Sequence, residues 1–240
     1  MHQLTPEQSF DALLAADPGR PFVTYYDEAN GERSELSPKS LANWVTKTHF
    51  LLVDELGLGA GESAFIDLPA HWISVPPLLG CCTAGLEIVT TAANASVAFV
   101  SPATASRAGG VPDVYSIAPE SAAVGLGGDV PDGSSDFVTA VRPQPDKWPT
   151  LRFGATETDP LLDGRTRAEV VDWARARADE LGVVEGARVL STRDWAGPDD
   201  WCDTLLVPLV MGGSVVFVRN APDDSVVERR LVQERATVRI

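Results

Sequence analysis

Lysine is scarce in this chain. Lys39, Lys47 and Lys147 are the three among 240 residues. Lys plus Arg number 19 against 34 Asp plus Glu, a net charge of -15. So acidic a surface repels phosphodiester backbones and anionic lipid, which argues against nucleic acid and membrane as partners. Cysteine is scarce too. Cys81, Cys82 and Cys202, an odd number with two adjacent, make no disulfide framework and read as reduced, buried thiols of a cytoplasmic protein. The most apolar stretch, residues 72–93, is interrupted by Pro76, Pro77, Gly80, Gly85 and Glu87, so it lacks the continuous run of a membrane span. Met1-His2-Gln3 leads straight into a helix start, from which no signal peptide is expected. A Gly-x-Ser-x-Gly elbow, a His-Glu-x-x-His helix and zinc-type Cys/His spacing are also missing, so motifs nominate no metal site and no catalytic residue.

What is present is alternation of helix and strand. Thr5-Pro6-Glu7-Gln8 is a capping box with proline at the first helical position, and Phe10, Leu13 and Leu14 share a helical face. Residues 22–26 are β-branched and aromatic, and Asn30-Gly31 signals a tight turn into a hairpin partner ending at Leu36. Ser37-Pro38 opens a helix that Gly57 ends. Strands are expected over 64–68, 86–91, 97–100 and 113–118, with an apolar helix over 71–84. Residues 120–149 are rich in Gly, Pro, Ser and Asp and read as loop with one short helix near 136–141. A boundary is placed there, giving halves 1–148 and 149–240 that share a core. After it the pattern restarts: a strand over 150–153, a capping box at Thr166-Arg167-Ala168-Glu169, a helix closed by Gly182, strands over 188–192, 214–218 and 236–240, and helices over 199–211 and 224–234. Such alternation predicts an α/β fold of two similar subdomains, each a mostly parallel sheet flanked by helices. Asp54-Glu55-Leu56-Gly57 before Gly61 is echoed by Asp179-Glu180-Leu181-Gly182 before Gly186. Duplication and the frequency of glycine at helix ends explain that echo equally well.

Certain blocks carry more information in their order than singly: 21–27 with Gly31-Glu32 and 36–41, then Leu56-Gly57 to Gly61 with 66–69, then 78–89, then 188–218. This order resembles the N-terminal half of the adenylate-forming ligases, the superfamily of acyl-CoA synthetases, peptide-synthetase adenylation domains and luciferases. The resemblance covers nearly all of this chain and about half of a full ligase. It implies an ATP-phosphate loop, rich in Ser, Thr and Gly and ending Pro-Lys-Gly, after the strand matched by 150–153. Such a loop works because small residues let backbone N–H groups wrap a phosphate while a lysine neutralises its charge. Here residues 154–165 contain Glu157, Asp159 and Asp163 and no lysine. One carboxylate at ~4 Å from a phosphate charge costs about 4 kcal/mol in a partly shielded site. Arg165 is the cation that could substitute, since Lys147 precedes the strand. The family's acyl-pocket motifs, ribose-binding aspartate and C-terminal domain with its catalytic lysine have no counterpart in these residues.

The resemblance therefore implies a non-catalytic descendant with no cofactor, acting as a ligand-binding or assembly module for a small ligand or a protein partner. Its predecessor's cleft would be lined by Thr156, Arg165, His71 and Trp72. One alternative is an AMP-binding half enzyme that uses ATP and is completed by a separate chain. Another is a homo-oligomer whose sheet edges pair. Among single residues, His71 reads as a surface or capping histidine and His49 as solvated. Gly125 to Gly128 reads as a flexible loop, and Asp194, Asp199, Asp200 and Asp203 as acids complementing a helix N-terminus beside Trp195 and Trp201.

Overall fold

The computed structural model describes residues 5–122, 124–147 and 155–240. The strand expected over 150–153, Gly154 and His2 lie outside the described residues. In chain order the elements begin with α1 (Pro6–Ala16), β1 (Val23–Asp27), β2 (Glu32–Leu36) and α2 (Pro38–Phe50), which continues into a π-helical turn at Leu51–Glu55. Next come β3 (Ser63–Asp67), a 3-10 turn at Trp72–Ser74, α3 (Val75–Ala84), β4 (Glu87–Val89), β5 (Val97–Val100), β6 (Asp113–Ser116), β7 (Ser135–Asp136) and α4 (Phe137–Val141). The remainder is β8 (Pro160–Leu162), β9 (Arg165–Thr166), α5 (Arg167–Leu181), β10 (Arg188–Ser191), α6 (Pro198–Trp201), a π-helical turn at Cys202–Leu206, α7 (Val207–Val210), β11 (Ser214–Arg219), α8 (Asp224–Gln233) and β12 (Val238–Arg239).

The chain forms two compact units, each with its own mostly parallel sheet. The first unit comprises Met1–Leu41, Ala70–Trp72 and Ala168–Ile240, and the second Ala42–Pro69 and Ile73–Arg167. They interleave, so a single cut at 148/149 does not separate them. The physical reason is strand pairing. β1 lies parallel to β11, with Val23 opposite Val215, which draws the N-terminal hairpin into the sheet of the C-terminal strands. Pairing across nearly 200 residues leaves no mark on local periodicity.

In the first unit the strand order is β12-β10-β11-β1-β2, and all neighbours are parallel except the β1–β2 hairpin. α1 starts as its capping box requires: the Thr5 hydroxyl accepts the Gln8 N–H, and the Gln8 side chain accepts the Thr5 N–H. Tyr26, Leu190, Val216, Val218, Val227 and Ala236 form one buried cluster. Gly213 is fixed by packing, because a Cβ there would lie 2.1 Å from the Ala187 carbonyl oxygen.

In the second unit the order is β7-β6-β5-β3-β4-β8-β9, parallel except for β8–β9. Phe99 stacks on Tyr115 and meets Phe137 edge-on, both at 5.7 Å between centroids. α2 and α3 approach closely at Gly80, where a Cβ would sit 2.5 Å from Thr48 Cγ2. His49, expected to be solvated, is buried, because α2 is covered on that side too. The echo persists in three dimensions. Each unit runs helix, strand, helix, strand, and Gly57, Gly61, Gly182 and Gly186 take φ of 69°, 95°, 69° and 73° at equivalent joints.

Candidate functional site

The segment at the implied phosphate loop is not an open loop. Beyond Ala155 it folds into the hairpin β8–β9 at the end of the second unit's sheet, with Leu162 paired to Ile88 of β4. Asp163 and Gly164 make the turn with φ of 47° and 78°, the left-handed pair that an Asp-Gly hairpin turn requires. Asp159 and Asp163 have structural partners. The Asp159 carboxylate accepts the Thr156 backbone N–H, while the Asp159 N–H donates to the Thr156 carbonyl at 3.1 Å. Asp163 Oδ1 accepts from the Thr90 N–H at 3.1 Å and its hydroxyl at 3.2 Å. The Gly164 N–H donates to Glu87 Oε1 at 2.7 Å. The Thr156 and Thr158 hydroxyls pair at 2.9 Å. Thr156 and Arg165 are both exposed on this segment. Arg167 is turned inward, fully buried, and donates to the Cys82 carbonyl at 3.0 Å.

His71 and Trp72 belong to the first unit, with ring centroids 5.7 Å apart. His71 is not at the surface. It is buried, its ring meets Tyr25 edge-on at 4.1 Å, and Nε2 lies 3.4 Å from Glu32 Oε1. Burial disfavours the imidazolium and lowers the His71 pKa to about 3, against the opposing pull of Asp27. Burial likewise pushes the Tyr25 phenol up, helped by the charges of Asp27 and Glu32. Next to this group Asp194 accepts from the Ala70 N–H at 2.8 Å and pairs with Arg219 at 2.6 Å, tying residues 70–72 to the strand ends of β10 and β11. The His71 and Trp72 side chains are both buried within the first unit.

The other candidates resolve similarly. Asp203 is buried between Arg177 and Arg193. The Leu126 N–H of the glycine-rich loop donates to Asp136 at 2.6 Å. Cys81, Cys82 and Cys202 are reduced and buried, as the sequence suggested, and burial raises the Cys81 pKa. Among the described residues no group of His, Cys, Asp and Glu could hold a metal ion, and no helix is long and apolar enough to cross a membrane. The first unit carries a groove of about 580 Å³ beside α1 and α7, with Arg175 and Glu185 on its wall.

No family model matches the chain. A protein of Mycobacterium tuberculosis (strain ATCC 25618 / H37Rv), described as a TIGR03089 family protein, is 38% identical over 234 residues, covering 95% of this chain and 94% of that protein. The chain belongs to the TIGR03089 family. Solved structures similar to this TIGR03089 protein include ligases at low identity. The anthranilate CoA ligase AuaEII in complex with anthranoyl-AMP superposes with a TM-score of 0.75 at 14% identity, covering 99% of this chain and 49% of the ligase. The Brucella canis acyl-CoA synthetase gives 0.77 at 16%, covering 98% and 47%. The acetoacetyl-CoA synthetase of Streptomyces lividans gives 0.76 at 16%, covering 98% and 42%. The fold is therefore that of the N-terminal part of adenylate-forming ligases, and the chain spans about half the length of the ligases it matches. The sequence resemblance and the α/β class are borne out.

Proposed function

We propose that this TIGR03089 protein is a non-catalytic descendant of an AMP-forming ligase that works as a ligand-binding or assembly module. One observation carries the reading: the Thr156 N–H, a donor that a phosphate would need, is taken by the carboxylate of Asp159. An internal anion stands where an external one would bind. Glu157 and Asp163 add like charge to the same segment, and the buried Arg167 is directed at a carbonyl. Displacing one carboxylate costs a hydrogen bond, and leaving it nearby costs about 4 kcal/mol against each phosphate charge at ~4 Å. These residues do not fit a triphosphate, so no catalytic step through ATP is derived. The net charge of -15 favours a small ligand or protein partner over nucleic acid or membrane.

The reading is tested by ATP–pyrophosphate exchange with the purified chain and a panel of carboxylic acids. Exchange at background is expected, and turnover above it would remove the proposal. A second reading, a half enzyme completed by another chain, draws on the roughly half-length match to ligases. It predicts exchange that appears only when a second chain is added.

A further inference from the structure

We propose that β2 is a self-association surface, on which two copies of the chain pair antiparallel about Ser34 and join two five-stranded sheets into one. The inference goes beyond the function proposed above and does not rest on it. β2 ends the strand order of the first unit, and among the described residues its strand pairing is with β1 alone. The pleat puts Glu32, Ser34 and Leu36 on the face that meets His71, and Arg33 and Glu35 on the face that meets Tyr26. The side chains of Arg33 and Glu35 are 45% and 32% exposed and pair with each other at 2.7 Å.

Charge selects the partner and the register. A two-fold axis perpendicular to the sheet keeps faces together, so the axis passes through one residue and opposed side chains share a face. Centred on Arg33, the pairing sets Arg33 against its own copy. Centred on Glu35, it sets Glu35 against its own copy. Centred on Ser34, it sets Arg33 opposite Glu35 of the second copy, twice. Opposite charges across strands stabilise and like charges destabilise. Charged residues normally guard an edge against indiscriminate pairing, and here the same residues admit one alignment. A second copy is thus the occupant that the strand's own sequence complements. Five residues a side make a small interface, so the dimer is weak and concentration-dependent.

Sedimentation equilibrium of the full chain tests this, and wild type should show a reversible dimer. Glu35→Arg puts Arg against Arg twice and should weaken it on the order of tenfold. Arg33→Glu combined with Glu35→Arg restores opposite signs and should recover the dimer. Should those variants fail to fold, Ser34→Cys provides a separate readout. The two-fold puts the new thiols face to face, so oxidation should link dimers faster than in the exposed control Asp129→Cys, with the native thiols buried. Three results would overturn the proposal: a monomer at every concentration with Ser34→Cys no faster than the control, a dimer indifferent to Glu35→Arg and Ser34→Cys, or an edge that takes up a foreign strand peptide while the chain stays monomeric.

Discussion

Replacing Asp203 with alanine should destabilise the first unit by about 3 kcal/mol. Asp203 lies in the π-helical turn between α6 and α7, with its side chain 1% exposed. It accepts Arg177 Nε and Nη2 and Arg193 Nη1, each at 2.8 Å. Breaking a buried ion pair by removing one partner costs about 3–5 kcal/mol, chiefly because the surviving charge stays buried. Here the survivors are guanidiniums 29% and 43% exposed, which water can re-solvate, so the lower end applies. Asparagine keeps the volume and one acceptor and should lose roughly half as much. Urea unfolding followed by tryptophan fluorescence is the assay, since Trp195 and Trp201 stand in the same segment. A loss of ~3 kcal/mol should also lower Tm by roughly 6–12 °C in a chain of this size. A change below about 1 kcal/mol would refute the reasoning, because it would place Asp203 among surface pairs that water already screens.

Stability should also fall in acid for two separable reasons. His71 has a folded pKa of about 3 against an ordinary 6.5, so the unfolded chain binds the extra proton between these values. Stability is lost as pH falls from 6.5 toward 3, by up to about 1.4 kcal/mol per pH unit, and His71→Gln should flatten that slope in pH-dependent urea melts. Burial works against the Glu234 carboxylate, but hydrogen bonds from Tyr26 and Arg188 outweigh it and hold its pKa below the usual 4.5. Its contribution is present above pH 4.5 and lost as pH falls through the lower folded value, so Glu234→Gln should be less acid-sensitive in the same melts. Gly213→Ala drives a Cβ into the Ala187 carbonyl and should cost on the order of 3 kcal/mol or more, seen as lost soluble yield and a lowered Tm. Gly164→Val places a β-branched residue at φ 78° and should lower Tm by a few degrees without changing helix content by circular dichroism.

The elements were legible in the sequence wherever local chemistry sets them. The capping box at Thr5, the hairpin turn at Asn30-Gly31 and the left-handed glycines at helix ends all stand where their residues demand. Pairing order was not legible. Nothing in residues 23–27 announces that Val23 will lie beside Val215, so a boundary read from local pattern at 148/149 falls between strands that pair. At the candidate site, the acidic character of 154–165 was plain, but the hairpin within it was missed. Asp163-Gly164 was the available signal, the same kind of turn pair that revealed the first hairpin, and flanking strands of two and three residues are too short to show alternation. His49 and His71 were misplaced because a histidine's burial depends on what packs over its helix or turn, which one sequence does not display.

Isothermal titration calorimetry of the intact chain with Mg·ATP, beside an Asp159→Ala variant, tests the central claim most directly. With Thr156 already satisfied by Asp159, wild type should give no saturable heat up to millimolar nucleotide, a free energy weaker than about 4 kcal/mol. Saturable micromolar binding by wild type that Thr156→Pro, which removes the N–H, abolishes would contradict the account.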